Sequence, residues 1–271
     1  MDTLTLQAGP GVRSPVVLPA PAEAPMLVAR RVSFPAGAHL PAHQHVRGQF
    51  LFAAAGTMFV RTPGHAWLVP PSRALWLPAG TEHSIDAHGE LHMRTLYLNA
   101  ASAARLPAGC VVLEVTALLR ELIMRMTSPE INGNGDDQAV ALIGQLAVAE
   151  IARLPRCALE LPMPASLDLL GLCERVLDDP VHGGEGSLPP GSARTLYRRF
   201  RAETGLSFVQ WRRQACLLHA VRLLSGGMSV TRVALDSGYE SLSAFSTMFR
   251  RTLGVTPRAF LSRLAGEVDA Q

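Results

Sequence analysis

Residues 230 to 257 read VTRVALDSGYESLSAFSTMFRRTLGVTP. This stretch contains two short amphipathic patterns that are broken at Gly238, and the second pattern ends in two arginines before Gly254 and Pro257. Apolar residues spaced three and four apart predict helices, and the glycine between them predicts a tight turn. A helix-turn-helix has this layout, and its second helix lies in the DNA major groove. The stretch therefore predicts a DNA-binding unit, intact at 229–254.

A second basic pattern, RTLYRRFRAETG, lies upstream at 194–205. Its spacing predicts an amphipathic helix that turns Leu196 and Phe200 inward and ends at Gly205. A long connecting helix is expected from Ser207 onward, stopped by the glycines at 226 and 227. The residues predicted to face outward are Arg194, Tyr197 and Arg198.

The bracing helix of this first unit is the weak point of the prediction. The segment DDPVHGGEGSLPPGS at 178–192 holds four glycines and three prolines, and neither residue supports a helix interior. We therefore expect the first helix-turn-helix to be abbreviated at 179–192, so that Leu196 and Phe200 lack part of their usual cover. A regulator with impaired DNA binding is the corresponding alternative.

The charge distribution favours nucleic acid as a partner of the C-terminal third. Residues 192–263 carry twelve arginines against three acidic residues, whereas residues 1–165 carry twelve of each. Such a basic segment suits phosphate contacts. The chain of 271 residues is 48% hydrophobic and 17% charged, which indicates globular domains. With no signal layout or apolar span, we expect a cytoplasmic protein without a membrane partner.

The N-terminal half reads as short strands followed by helices. Many short strands separated by Pro and Gly predict a small antiparallel barrel or sandwich. Helical spacing follows at Val112–Met126 and Asp137–Leu154, and Leu154–Pro164 reads as a linker. The predicted strands are Met26–Phe34, Gln49–Ala54, Thr57–Thr62, His65–Val69, Ala74–Pro78 and His92–Leu98.

Three histidines are the candidate ligands of this half. In a strand, His43 and His45 share one face, and His83 from a neighbouring strand could complete a three-nitrogen site for a divalent metal. Gln49 could add a weak oxygen ligand. The alternative is a metal-free pocket in which these side chains bind a small organic ligand.

These motifs resemble two known families. The spacing Gly-x5-His-x-His-x3-Gln-x6-Gly from Gly37 and the later Pro-x-Gly-x2-His that ends at His83 resemble the cupin family, whose metal ligands map onto His43, His45 and His83, with Gln49 in place of a glutamate. The motifs at 198–205, 238–239, 245–250 and 254–257 resemble the AraC/XylS family of transcription regulators. Together the resemblances cover roughly residues 26–263.

The resemblance implies an α+β multidomain protein. We expect a flexible arm at 1–25, a cupin-like effector-sensing barrel at 26–100, a helical dimerisation or linker segment at 101–160 and an all-α tandem helix-turn-helix domain at 165–265. Base-reading positions map onto Arg194, Tyr197 and Arg198 in the first unit and onto Ser243, Ala244 and Thr247 in the second, with Ser241 and Arg250 beside them. Arg199, Arg201, Arg212, Arg250 and Arg251 are candidates for phosphate contacts or for a solvated face.

The function implied is a sequence-specific transcriptional regulator, activator or repressor, controlled by a small-molecule effector. Its implied partners are double-stranded DNA, the effector, a second copy of the chain and RNA polymerase. The helices at 112–126 and 137–154 could pair between two copies, or pack on the barrel of their own chain. The alternative from another class is a cupin-type metal-dependent enzyme with a helical appendage.

Overall fold

The computed structural model describes residues 25–71, 73–128, 137–157, 159–183 and 193–266. Residues 1–24 of the arm predicted at 1–25 and residues 184–192 of the abbreviated segment predicted at 179–192 lie outside these residues. The described chain forms an N-terminal antiparallel sheet, two helices that cover one of its faces, and a C-terminal group of helices.

The described strands form one nine-stranded sheet in which neighbouring strands pair antiparallel, as the sequence predicts. Its main path runs β1-β6-β3-β5-β7-β8, while β2 pairs with β6 and β4 joins β3 to β9. Within the described residues this path does not close, so the predicted barrel is an open, bent sheet. The strands are β1 Leu27–Phe34, β2 His39–His43, β3 Gly48–Thr62, β4 His65–Val69, β5 Arg73–Leu77, β6 His83–Leu98, β7 Val111–Glu114, β8 Arg156–Cys157 and β9 Glu160–Pro162.

The long central pair β3 and β6 bends the sheet. Its register shifts between Ala53 and Thr57, where the sequence predicts two separate strands. Gly56 lies at this irregularity with φ +74°, and a Cβ there would come within 2.4 Å of the Glu90 carbonyl oxygen. A glycine is therefore required at this bulge. The predicted strand His92–Leu98 is also too short, because β6 begins at His83. The strand expected to carry both His43 and His45 is β2, but it ends at His43, so His45 lies beyond it.

The two faces of the sheet bury different cores. On one face Leu51, Leu75 and Met93 point into the bend, and on the other Phe50 and Phe52 pack against helices. Those helices are α2 (Ala117–Met126) and α3 (Asp137–Ile151), preceded by the short α1 (Ala100–Ala103). The inward faces of α2 and α3 thus pack on the sheet of their own chain. The sequence could not choose between this packing and pairing with a second copy.

Two predictions for residues 101–164 are wrong. Val112–Glu114 was expected to begin a helix but belongs to β7, and α2 starts only after the cap Thr116. Leu154–Pro164 was expected to be a linker but contributes β8, which pairs with β7, and β9, which pairs with β4. The segment at 101–160 is therefore part of the sensor sheet as well as its helical cover.

The C-terminal helices follow their sequence signals closely. Ser207 and Gln210 form a reciprocal capping box at the start of α6, and the Ser229 and Ser241 side chains cap the next two helices. Gly254, with φ +76°, ends α8. The helices are α4 Leu167–Asp178, α5 Ala193–Thr204, α6 Phe208–Ser225, α7 Val230–Asp236, α8 Leu242–Leu253 and α9 Pro257–Gly266.

The first unit is better covered than the sequence predicts. Phe200 is fully buried, in edge contact with the rings of Phe208 and Trp211 at centroid distances of 5.3 and 5.8 Å, and Leu196 is 4% exposed. The expectation that these two side chains would lack cover is therefore wrong. A pair of polar contacts also holds α5 against α4: Arg199 binds Asp168, and Glu203 accepts from Ser166.

The sensor sheet and the helices share one continuous core. Helix α6, which connects the two helix-turn-helix units, provides most of the described polar contacts between the halves. The indole N–H of Trp211 donates to the carbonyl of Pro162 in β9 at 2.7 Å, and the Thr57 hydroxyl donates to the Ser225 hydroxyl at 2.6 Å. A change in the sheet can therefore reach both units through one helix.

Candidate effector pocket and nucleic-acid interface

The structure brings His43, His45 and His83 together at one end of the sheet interior. His43 ends β2, His45 follows it, and His83 opens β6, which pairs with β2. One potential ligand atom from each residue lies within 4.8 Å of the other two, and the ring centroids are 4.3 to 5.6 Å apart. The spacing in the sequence thus predicts the convergence of these three residues correctly.

The hydrogen bonds of the cluster fix which ring nitrogen of His43 and of His83 carries a proton. Nδ1 of His83 lies 3.0 Å from the Thr81 carbonyl and Nδ1 of His43 lies 2.8 Å from the Pro41 carbonyl, so each Nδ1 carries the proton. Their Nε2 atoms are then lone-pair donors, an arrangement typical of metal-binding histidines. Among the described residues, the buried Nε2 atoms of His83 and His45 have no hydrogen-bond partner.

Burial keeps His45 and His83 of this cluster uncharged. It lowers the pKa of His45 to about 4, with further lowering from His43 and His83. Burial also lowers the pKa of His83 to about 4, although the Thr81 carbonyl opposes the shift. Neutral imidazoles are the form that binds a metal ion or accepts a hydrogen bond. At neutral pH the site is therefore ready for either use.

Gln49 lies beside the cluster, on the neighbouring strand β3. Its amide nitrogen donates to the Thr95 hydroxyl at 3.1 Å and the Tyr97 hydroxyl at 3.2 Å, which leaves its buried oxygen without a described partner. Tyr97 also contacts His45, with ring centroids 5.1 Å apart. Thr95 and Tyr97 were not predicted as site residues. The signal was available, since they lie on the same face of β6 as His83 by the period-two rule.

The first candidate reader is the outer face of α5. The side chains of Arg194, Tyr197 and Arg198 are exposed there, and neither arginine has a hydrogen bond or ion pair to a described residue. Tyr197 is 48% exposed and stacks on Phe208 with ring centroids 6.2 Å apart. Free guanidinium groups on an exposed helix can bridge guanine O6 and N7.

Two predicted phosphate-contact candidates serve other purposes. Both nitrogens of the Arg199 fork bind the Asp168 carboxylate at 2.9 and 3.0 Å, and this contact raises the pKa of Arg199 and lowers that of Asp168. Arg212 donates to the backbone carbonyls of Pro180 and Val181. These arginines fix the helix packing, so Arg201, Arg250 and Arg251 remain the exposed candidates.

The second candidate reader is the outer face of α8. Ser243, Ala244, Thr247 and Arg250 are exposed on this helix, whose other face buries Phe245 and Phe249 completely. The Ser241 hydroxyl accepts from the Ala244 backbone N–H as the helix cap and lies 3.1 Å from the Ser243 hydroxyl. Ser243, Ala244 and Thr247 are short side chains, so Arg250 and the exposed Arg251 are the arginines that this helix offers to DNA.

Comparisons with known proteins agree with this division of the chain. A family model described as an AraC-like ligand binding domain matches residues 25–147, and one described as a helix-turn-helix domain matches residues 191–263. The HTH-type transcriptional regulator NimR of Escherichia coli (strain K12) is 34% identical over 228 residues, which are 83% of this chain and 83% of that protein.

Further similarities cover less of the chain or are weaker. The HTH-type transcriptional regulator RipA of Corynebacterium glutamicum is 39% identical over 75 residues, 28% of this chain and 23% of that protein. A crystal structure of unsaturated fatty acid bound wild-type ToxT from Vibrio cholerae aligns with a TM-score of 0.35 and 11% identity, covering 89% of this chain and 96% of that one.

None of the described helices is long and apolar enough to cross a membrane. The matches extend over both halves, and the similarity to NimR spans most of both proteins. The chain belongs to the AraC family of transcriptional regulators, with a cupin-like ligand-binding domain and a helix-turn-helix DNA-binding domain.

Proposed function

We propose that this regulator binds its effector beside the histidine cluster and reads DNA with both α5 and α8. The observation that carries the proposal is the attachment of two exposed helix faces to the single connecting helix α6. The sensor sheet contacts the same helix at Trp211 and Ser225. An effector that binds one arrangement of the halves more tightly than another would shift the population of the DNA-competent form.

The two readers have different chemistry in this proposal. Arg194, Tyr197 and Arg198 supply most of the base discrimination, since a bidentate arginine–guanine contact is worth about 1–3 kcal/mol. Ser243, Ala244 and Thr247 make short-range contacts, while Arg250 and the helix cap at Ser241 contact the backbone. The second unit therefore anchors the protein on the DNA backbone, and the first unit discriminates between base sequences.

The domain boundaries follow from the same proposal. We assign residues 26–100 to the core of the sensor, residues 101–160 to its helical cover and remaining strands, and residues 165–265 to the DNA-binding domain. RNA polymerase is the further partner that transcriptional control requires. We propose regulation rather than catalysis because NimR, which is similar to this chain over most of both proteins, is a transcriptional regulator.

A DNA-shift titration on the purified full-length protein tests regulation against catalysis. Upstream DNA from the regulator's own genomic neighbourhood should form a specific complex whose affinity falls steeply with salt, since phosphate contacts release counterions. A scrambled fragment of equal length is the control. Equal affinity for both fragments at every salt concentration would contradict the proposal.

A divalent cation is a second candidate occupant of the pocket. The three histidines bring one nitrogen each to within 4.8 Å of the others, which suits a divalent ion, and the buried Gln49 oxygen could add a neutral ligand. The Thr81 and Pro41 carbonyls hold two of the rings in place. When bound, such an ion would supply a positive centre for an anionic group of the effector.

Replacing His83 by alanine is expected to lower Zn²⁺ affinity by at least about 100-fold. Loss of a residue that only orients a metal ligand typically costs roughly 10- to 100-fold, and loss of the ligand itself should cost more. Gln49→Glu should instead raise the affinity, because a carboxylate offsets the charge of the cation. Calorimetric titration of Zn²⁺ into the metal-free protein measures both, with His65→Ala outside the cluster as control. Equal affinity in all four proteins would show that the cluster is metal-free.

Dimerisation is proposed through the outer face of the helical cover. Leu118, Leu142 and Leu146 on α2 and α3 remain 50%, 58% and 44% exposed after these helices have packed on the sheet. Exposed apolar patches on a soluble domain mark interaction surfaces. Because α2 and α3 already pack against each other, a second copy could pair with them as a four-helix arrangement.

The dimer of the double variant Leu142→Arg/Leu146→Arg is expected to dissociate at least about 100-fold more readily than the wild-type dimer. Burial of each leucine in the proposed interface would contribute roughly 1.5–3 kcal/mol, and the variant loses both contributions. Analytical ultracentrifugation at several concentrations measures the change. Leu235→Arg, at a side chain that is 62% exposed on α7, is the matched control. A monomeric wild type, or a double variant that dimerises as well as the control, would exclude this interface.

A further inference from the structure

A cavity of about 220 Å³ lies between the sensor sheet and the DNA-binding helices. Its wall on one side comes from β3 and β6 and on the other from α4 and α6. Close contacts frame it: the Thr57 hydroxyl bonds to that of Ser225, and a Cβ on Gly89 would lie 3.3 Å from the Ser225 carbonyl oxygen. The polar and charged residues of its lining are Arg61, Asp86, His88, Asp178, His219 and Arg222.

The hydrogen bonds in this cavity require an uncharged histidine. The Arg222 guanidinium lies 2.9 Å from Nδ1 of His219, and a guanidinium can only donate, so this nitrogen must be the acceptor. Protonation at Nδ1 would replace that bond by contact between two cations. The nearby Leu177 carbonyl, 3.4 Å away, offers a weak replacement partner.

His88 faces the same arginine from the sheet. Burial lowers the pKa of His88 to about 4, and Arg222 and Arg61 lower it further against the opposing effect of Asp86. Burial and then Arg222 also lower the pKa of His219, which the Leu177 carbonyl, Asp179 and Asp236 oppose.

The remaining charges of the cavity balance each other. Asp86 is bound by Arg61 and by His39, and the charge nearest to Arg222 on α4 is that of Asp178. Two arginines therefore face two aspartates in the lining at neutral pH. Each protonated histidine adds a positive charge that has no further carboxylate in the lining to meet it.

We propose that this cavity is a proton-sensitive latch: neutral His88 and His219 hold the sensor against α6, and their protonation separates the two halves. Because α6 connects both helix-turn-helix units, opening of the latch would change how the DNA-binding helices are held. The latch goes beyond the proposed function, and its test uses no DNA.

The direction of the effect follows from proton linkage. A histidine whose pKa is lowered in the closed form stabilises that form fully above its ordinary value of 6.5, and this stabilisation is lost as pH falls toward the lowered value. If His88 has a pKa of about 4 in the closed form and 6.5 in the open form, the ratio of closed to open protein falls, relative to neutral pH, about tenfold at pH 5.5 and about 30-fold at pH 5. His219 acts in the same direction.

The three tryptophans provide a direct measurement. The Trp211 indole N–H donates across the interface to Pro162, whereas those of Trp67 and Trp76 donate to Thr62 and Pro107 within the sensor. In indole ¹⁵N–¹H spectra recorded from pH 7.5 to 5, the Trp211 signal is expected to titrate while the other two stay in place. An invariant Trp211 signal would overturn the proposal, as would a joint loss of all three native signals, which reports global unfolding.

Two variants connect the titration to the latch. His88→Gln/His219→Gln keeps a polar acceptor beside Arg222 but cannot be charged, and it should abolish the titration, whereas His92→Gln should not. Thr57→Cys/Ser225→Cys places two thiols where the hydroxyls lie 2.6 Å apart. Oxidation can then form a disulfide that locks the sensor sheet to α6. The oxidised protein should lose the titration and regain it on reduction. A titration that persists in the locked protein would overturn the latch even if the glutamine variant fails to fold.

Discussion

Replacement of Arg194 and Arg198 together by alanine is expected to weaken binding to the specific operator between about 30-fold and about 20,000-fold. Each side chain can bridge a guanine for about 1–3 kcal/mol, and neither has a described partner within the protein to lose. The fold should be unaffected, because both side chains are exposed. Fluorescence anisotropy with DNA selected by the wild-type protein measures the affinity.

Arg201→Ala is the matched control on the same helix. Arg201 is also exposed, but it lies outside the base-reading set. Its loss should therefore weaken binding to all DNA sequences alike and should reduce the salt dependence of the affinity by about one counterion. The double variant should lose mainly discrimination between operator and random DNA. An equal loss on both DNAs would show that α5 contacts only the backbone, and unchanged binding would show that the first unit does not contact DNA.

Replacement of Trp211 by alanine is expected to lower the free energy of unfolding by roughly 3–5 kcal/mol, the usual cost of removing a buried aromatic side chain. Trp211 is fully buried, packs on Phe200 and Phe208 and donates to Pro162 of the sensor sheet. The substitution removes packing from the first unit and a contact between the halves. Urea denaturation followed by circular dichroism measures the loss.

Trp211→Phe separates the two contributions. It keeps an aromatic ring in the core but leaves the Pro162 carbonyl without this donor, which should cost about 1–3 kcal/mol. Phe249 in the second unit is equally buried and is a reference for the loss of an aromatic core side chain. If Trp211→Ala were no less stable than the wild type, the first unit would not be built around this core.

The sequence predicts most of the regular elements because their signals are local. Alternating residues and flanking glycines or prolines locate β1, β4 and β5 to within about one residue, and Ser207, Ser229 and Gly254 mark helix ends. The segment that became β7 was misassigned because a short apolar run beside a helix has no period of its own. Strands β8 and β9 are too short to be recognised, and only their pairing with β7 and β4 makes them strands.

The candidate sites likewise divide into features that a local sequence pattern predicts and features that only the folded structure shows. The spacing of His43, His45 and His83 predicts their convergence, but strand periodicity accounts for it only in part, because β2 ends at His43 and His45 lies beyond the strand. The roles of Arg199 and Arg212 could not be read in this way, because an arginine that binds phosphate and one that binds a carboxylate or carbonyl have the same pattern in a sequence. The cover of Phe200 comes from Phe208 and Trp211, which follow Phe200 in the chain and lie outside the segment of the expected bracing helix.

The most direct test of the two-reader account is selection of bound sequences from a random DNA pool by the full-length protein. Recognition helices held on one connecting helix should enter neighbouring major grooves on one side of the duplex, about one helical turn or roughly 10 base pairs apart. The account predicts a bipartite motif, with guanine-rich, strongly constrained positions where α5 binds and weaker constraint where α8 binds. A motif confined to one short segment, or the absence of any enriched sequence, would contradict it.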